Sequence, residues 1–189
     1  MVLTRLGSGS RDALGRTKSA SVRDALTEAR TLLAADRPKN PLPSQQLTVL
    51  VWRLGQALCG RPGLGPFLLR RLVQVADAVW VRGVIGAELP PQVVCGPGVR
   101  LPHAGRGIIL HPSCVIGADA VLYHRVTIGM TSTEPAPRLG DGVFVGTGAS
   151  ILGTIRVADG TRVGAHAVLL QDTEPAQTYV GVPARRVVR

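Results

Sequence analysis

Four histidines carry the chemistry this chain can do near neutral pH: His103, His111, His124 and His166. Imidazole ordinarily titrates in that range, so it can act as general base, general acid or metal ligand. The intervals between the four, 8, 13 and 42 residues, do not match a three-histidine metal site, and no metal is expected. The three cysteines, Cys59, Cys95 and Cys114, show no metal or redox spacing, and their odd number argues against a disulfide framework. What remains is proton transfer, which needs a rigid frame to hold a base against a substrate.

That frame is written in a six-residue beat. Leu139, Val145, Ile151, Val157, Val163 and Leu169 lie six apart, and Leu110, Ile116, Leu122 and Ile128 keep the same beat upstream. Self-similarity at a fixed short period marks a solenoid. A helix of 3.6 residues per turn cannot keep one face at a period of six, and a plain strand would alternate at two. Gly117, Gly129, Gly140, Gly146, Ala158 and Gly164 follow the aliphatics, as suits corners where a β-carbon is costly. Four residues after each aliphatic comes a small or branched side chain, among them Cys114, Ala149 and Ala167, so Cys114 reads as a buried small hydrophobe. The pattern predicts a mainly β fold, a parallel β-helix with three hexads per coil; that this helix is left-handed is implied by its resemblance to hexapeptide-repeat proteins, not by the spacing. The beat slips once, between Ile128 and Leu139, where Met130–Arg138 holds two prolines and reads as a loop thrown out of the coil.

Composition agrees with this reading. Of 189 residues 45% are hydrophobic but 3% are aromatic, as expected of a prism stacked from Val, Ile and Leu. The net charge of +10 is concentrated in residues 1–82, with 13 basic and 5 acidic side chains. These positives are scattered among helical signals without interleaved aromatics or a nucleic-acid-binding motif, so no nucleic-acid partner is expected. No apolar stretch reads as a signal peptide or a transmembrane helix, which makes the cytoplasm the default and gives no membrane partner. Residues 1–20 read as a disordered N-terminus and 21–83 as an α-helical region. Ser21 looks like an N-cap, Val22, Leu26, Ala29 and Leu33 mark one helical face, a second helix spans about 45–58, and Pro66 opens a third to about Arg82. Residues 84–171 form the β-helix and 172–189 a C-terminal tail.

Residues 84–188 resemble a bacterial serine O-acetyltransferase of the hexapeptide-repeat acyltransferase superfamily. The matching pieces are GPGVRLPHAGRG (96–107), VTIG (126–129), the run GDGVFVGTGASILG onward (140–172) and GVPARRV (181–187); WRLGQAL (52–58) resembles the short form of the family. The resemblance implies that His103 is the catalytic base, taking the proton of an acceptor hydroxyl that attacks the thioester of acetyl-CoA. It implies that Glu88, where the family has aspartate, orients the ring. Acetyl-CoA, as co-substrate, would lie in the groove between adjacent prisms of a homotrimer. Gly146, Thr147, Gly164 and Ala165 would line the pantetheine arm, with Arg162, Arg185 and Arg186 at the phosphates. His124, on a coil edge, would line the same cleft. His111 and His166 read as exposed corners.

Three departures bear on the acceptor. Pro102 stands where the family has aspartate before the histidine. Pro135 and Ala136 stand where it has the Arg-His pair that contacts the amino-acid acceptor. Met130 replaces a glycine beside the thioester. Asp36 stands for the family's N-terminal acceptor-binding aspartate. Serine is the leading acceptor, and another hydroxy or amino compound in a specialised pathway is the alternative. A non-catalytic scaffold and membrane-surface binding through the basic helices are rivals from other classes. A dimer of trimers is left open. The tail after GVPARRV lacks the terminal-isoleucine peptide with which longer members dock cysteine synthase, so no such complex is expected.

Overall fold

A computed structural model describes Ser19 and residues 21–130 and 135–188. The N-terminal stretch expected to be disordered lies, Ser19 apart, outside the described residues, as do residues 131–134 of the expected loop.

Three helices come first. Helix α1 (Val22–Asp36) is capped by Ser21, whose hydroxyl accepts from the Asp24 N–H. Its buried face is Ala25, Ala29, Leu33 and Asp36, whereas Leu26, read from the sequence as inward, is 40% exposed. Helix α2 (Pro43–Leu58) begins two residues earlier than its apolar pattern suggested. Proline fits the first position, and the Gln45 side chain accepts from the Leu42 N–H at 3.1 Å. Helix α3 (Leu64–Ala76) begins before Pro66, which sits in its first turn where no N–H partner is needed. It continues as a wider π-helical stretch, Asp77–Val84.

The prism follows, built as three ladders of short parallel strands. The first contains β1 (Val94–Cys95), β3 (Val115–Ile116), β6 (Arg138–Leu139) and β9 (Arg156–Val157). The second contains β4 (Val121–Leu122), β7 (Phe144–Val145), β10 (Arg162–Val163) and β12 (Thr178–Val180), and ends in the antiparallel β13 (Arg185–Arg186). The third contains β2 (Ile109–Leu110), β5 (Thr127–Gly129), β8 (Ser150–Leu152) and β11 (Val168–Leu169). This is the left-handed β-helix, and the register stacks like on like. Leu110, Ile128, Ile151 and Leu169 form one inward column, and Leu122, Val145, Val163 and Tyr179 another. Every aliphatic of the six-residue beat is at most 3% exposed. The second ladder gains Tyr179 from a stretch with no hexad beat, so the stack runs to Val180.

The corner glycines owe their identity to close approach between coils. A β-carbon on Gly117 would lie 2.5 Å from the Gly140 carbonyl oxygen, and one on Gly146 2.7 Å from the Ala165 nitrogen. Bare backbone is what lets successive coils hydrogen-bond at sheet spacing.

The helices sit on the first coil through a buried polar clamp. Arg53 and Asp36 are both fully buried and joined by two bonds, Nε to Oδ2 at 2.8 Å and Nη2 to Oδ1 at 3.2 Å. Arg53 also donates to the carbonyls of Cys95 and Gly96, and Asp36 accepts from the N–H groups of Gly98 and Val99. Asn40 accepts from the Leu101 N–H and donates to the Val99 carbonyl. Segment 95–101 is thus gripped from the helical side, and it leads directly into the turn Pro102–Gly105, against which α2 packs.

Candidate functional site

His103 stands on that turn with its backbone in the left-handed region, φ 56° and ψ 32°, and Ala104 follows at φ 60° and ψ 20°. Such a conformation is uncommon for a residue with a β-carbon. The lower corners use it too, at Arg125 and His166, so the prism supplies it and the clamp on 95–101 holds it. The imidazole is exposed while its neighbours Pro102, Ala104 and Gly105 are buried, which leaves the ring projecting from a rigid pedestal.

The register brings one column of residues beneath it. His103 lies over His124, with ring centroids 4.8 Å apart and planes at 82°. One coil below His124 comes Thr147, whose hydroxyl is 3.4 Å from His124 Nδ1. One coil further is Ala165, followed by His166, whose N–H donates to the Thr147 carbonyl. Gly146 and Gly164 neighbour this column. The sequence-predicted strip for an acyl carrier's arm is therefore one continuous edge of small residues, and it runs away from the imidazole. A second line leads from the same histidine along the face. Tyr123 is 6.4 Å from His103 and 5.4 Å from Phe144, and the Arg162 guanidinium lies 4.4 Å over the Phe144 ring. Arg162 and Arg186 then line an open groove of about 740 Å³ with Gln177 and Thr178. Arg185, alongside in β13, is 3.0 Å from the Ala184 carbonyl, and Arg186 pairs with Glu174. Small backbone-lined edge and cationic end together fit an extended thioester ending in phosphates.

Electrostatically the histidine end is positive or neutral. Desolvation first, and then the charges of His103, Arg125 and His166, hold the His124 pKa below its ordinary value. Burial pushes the thiols of Cys95 and Cys114 up to about 11, so neither is a nucleophile at neutral pH. Among the described residues no group of three or more His, Cys, Asp or Glu could hold a metal ion, and no helix is long and apolar enough to cross a membrane.

Several sequence-predicted residues lie elsewhere. Glu88 is exposed on the third face, bridged to Ile109, and among the described residues no hydrogen bond or ion pair joins it to His103. The carboxylate–imidazole pair is not formed within one chain. Asp36, expected to touch the acceptor, is 0% exposed with its oxygens committed to Arg53, Gly98 and Val99. Pro102 and Ala136, expected on the acceptor side, are both buried, with the Ala136 N–H donating to Ser113 Oγ. Met130 is half-buried and packs on the core. Tyr123 and Phe144 were missed; their outward slots beside the aliphatic beat are the signal that could have found them.

No family model matches the chain. Curated relatives do. It is 31% identical over 166 residues to the serine acetyltransferase of Mycobacterium tuberculosis, a match covering 85% of this chain and 72% of that protein. It is 37% identical over 144 residues to the serine acetyltransferase of Helicobacter pylori strain J99, covering 75% and 80% respectively. Among solved structures, soybean serine acetyltransferase complexed with serine superposes with a TM-score of 0.68 at 29% identity, over 87% of this chain and 70% of that one.

Proposed function

The chain belongs to the serine acetyltransferase family, and on that premise we propose that it moves the acetyl group of acetyl-CoA onto the hydroxyl of L-serine, with His103 as general base. The observation that carries the reading is the placement of His103. It is an exposed imidazole on a clamped turn, at the head of the edge formed by Thr147 and Ala165. A hydroxyl attacking a thioester must shed its proton as the new bond forms, and a neutral imidazole within reach takes it. The same ring then returns that proton to the leaving thiolate, so His103 ends each turnover as it began. Gly146, Gly164 and Ala165 let the donor's arm approach the backbone closely, while Arg162, Arg185 and Arg186 supply cations for its phosphates.

The working unit is a homotrimer in which neighbouring prisms close the groove. Support comes from α3 and its π-helical continuation, whose outward residues Leu64, Leu68, Leu72, Val75 and Val79 are 54–73% exposed in a single chain. An apolar stripe of that length calls for a cover, and neighbouring copies supply it.

The test is thiol release from acetyl-CoA with L-serine, wild type beside His103→Ala. The expected result is a loss of about 10²–10⁴-fold in the variant. Undiminished release in His103→Ala would overturn the role of that histidine. A second reading keeps the chemistry and changes the acceptor; it is favoured by Ala136, which is buried where the family resemblance places an acceptor contact. It predicts acetyl-CoA binding without release on serine, and release with another hydroxy or amino compound. Neither binding nor release with any acceptor would leave a non-catalytic solenoid.

A further inference from the structure

We infer that His124 is a positioning residue for His103, holding the plane of the base from the coil below. The inference rests on the reading of His103 as that base. The two rings meet edge to face, 4.8 Å between centroids and 82° between planes, the arrangement aromatic rings favour. His124 is itself fixed. Its Nδ1 lies 3.4 Å from Thr147 Oγ1, and its carbonyl accepts from the Gly148 N–H at 3.0 Å. Tyr123 also approaches His103, with ring centroids 6.4 Å apart and planes tilted at 57°. Glu88, the expected orienting group, makes no bond to His103 among the described residues, whereas Tyr123 and His124 make ring contacts with it.

The charge state of the pair follows from its surroundings. The ionisable groups facing His124 are His103 above, Arg125 beside it and His166 below, all cationic or neutral, with the Thr147 hydroxyl 3.4 Å from Nδ1. Desolvation and those charges hold the His124 pKa below its ordinary value, which favours the neutral ring. A neutral ring can brace an imidazolium forming beside it; a charged one would repel it. Protonation of His124 at lower pH therefore removes activity a second time. The acid limb of the rate profile should steepen from one proton to two.

The experiment compares kcat, KM and their pH profiles for the wild type, His103→Ala, His124→Ala and His124→Gln in the thiol-release assay, with thermal melting of each. A small misplacement of a base costs up to about 100-fold. His124→Ala should lower kcat by about 10–100-fold, leave both KM values within about twofold, and show a one-proton acid limb throughout. His124→Gln, whose amide can still meet Thr147, should recover part of kcat but keep the one-proton limb. It stands in for the alanine variant if that one does not fold. A kcat within twofold of wild type, an effect confined to KM, or a two-proton limb surviving without His124 would overturn the inference. A dead His103→Ala beside a wild-type-like His124→Ala sinks this inference alone. An active His103→Ala sinks the reading of the base on which it stands.

Discussion

Asp36 gives the sharpest test of how the site is held. Replacing it with alanine removes both bonds to Arg53 and the acceptor for the Gly98 and Val99 N–H groups. It leaves a guanidinium that is 0% exposed without its counter-charge. Breaking a buried pair from one side costs about 3–5 kcal/mol, because the remaining charge stays desolvated. That is a large share of the roughly 5–15 kcal/mol that holds a domain together. For a chain of this size each kcal/mol lowers the melting temperature by about 2–4 °C, so Asp36→Ala should melt about 6–20 °C below wild type. The assay is circular dichroism melting at one fixed protein concentration, since assembly makes the midpoint concentration-dependent. Asp36→Asn should fall between, because its amide oxygen still accepts from the loop. Asp36→Leu with Arg53→Met should regain part of the loss by removing both charges together. If Asp36→Ala melts within about 2 °C of wild type and raises the KM for the acceptor alone, the clamp argument is wrong. Asp36 would then be the acceptor contact that the family resemblance assigns to it.

Two further outcomes follow from the prism. Gly117→Ala would drive a β-carbon to 2.5 Å from the Gly140 carbonyl oxygen, an overpacking worth about 1–3 kcal/mol, whereas Gly129→Ala, with Leu152 Cδ2 at 3.8 Å, should melt like wild type. Equal melting of the two would refute the close-approach explanation of the corner glycines. Light scattering at assay concentration should return three copies per particle; a monomer would undercut the groove between prisms, and substitution of Leu68 and Leu72 by lysine should weaken assembly before it unfolds the chain.

The prism was legible in the sequence because one rule governs its interior. An inward slot recurs every six residues, and each must fill the same cross-section, so Leu110 through Leu169 announce themselves by spacing. The helical cap follows no such rule. Leu26 and Ala25 are adjacent, and propensity cannot say which turns inward; what decides is the packing of α1 on α2, in which the small Ala25 and Ala29 join Leu33 on the buried face. Asp36 was expected to touch the acceptor because it stands for the acceptor-binding aspartate of the family that the chain resembles. Its burial depends on Arg53, 17 residues away, and on N–H groups 62 and 63 residues away, separations that no local pattern reports. The contact of His103 with His124 is a different case, since its signal was present in the spacing. The first coil pairs Val94 with Val115, Glu88 with Ile109 and Arg100 with Val121, a repeat of 21 residues where the pairs Arg138 with Arg156 and Ser150 with Val168 repeat at 18. The extra three lie in LPHAGRG, the turn that lifts His103 out of the prism. Once the coil length is taken as 21, His103 must stand over His124. The insertion that exposes His103 is the same insertion that sets it on its neighbour.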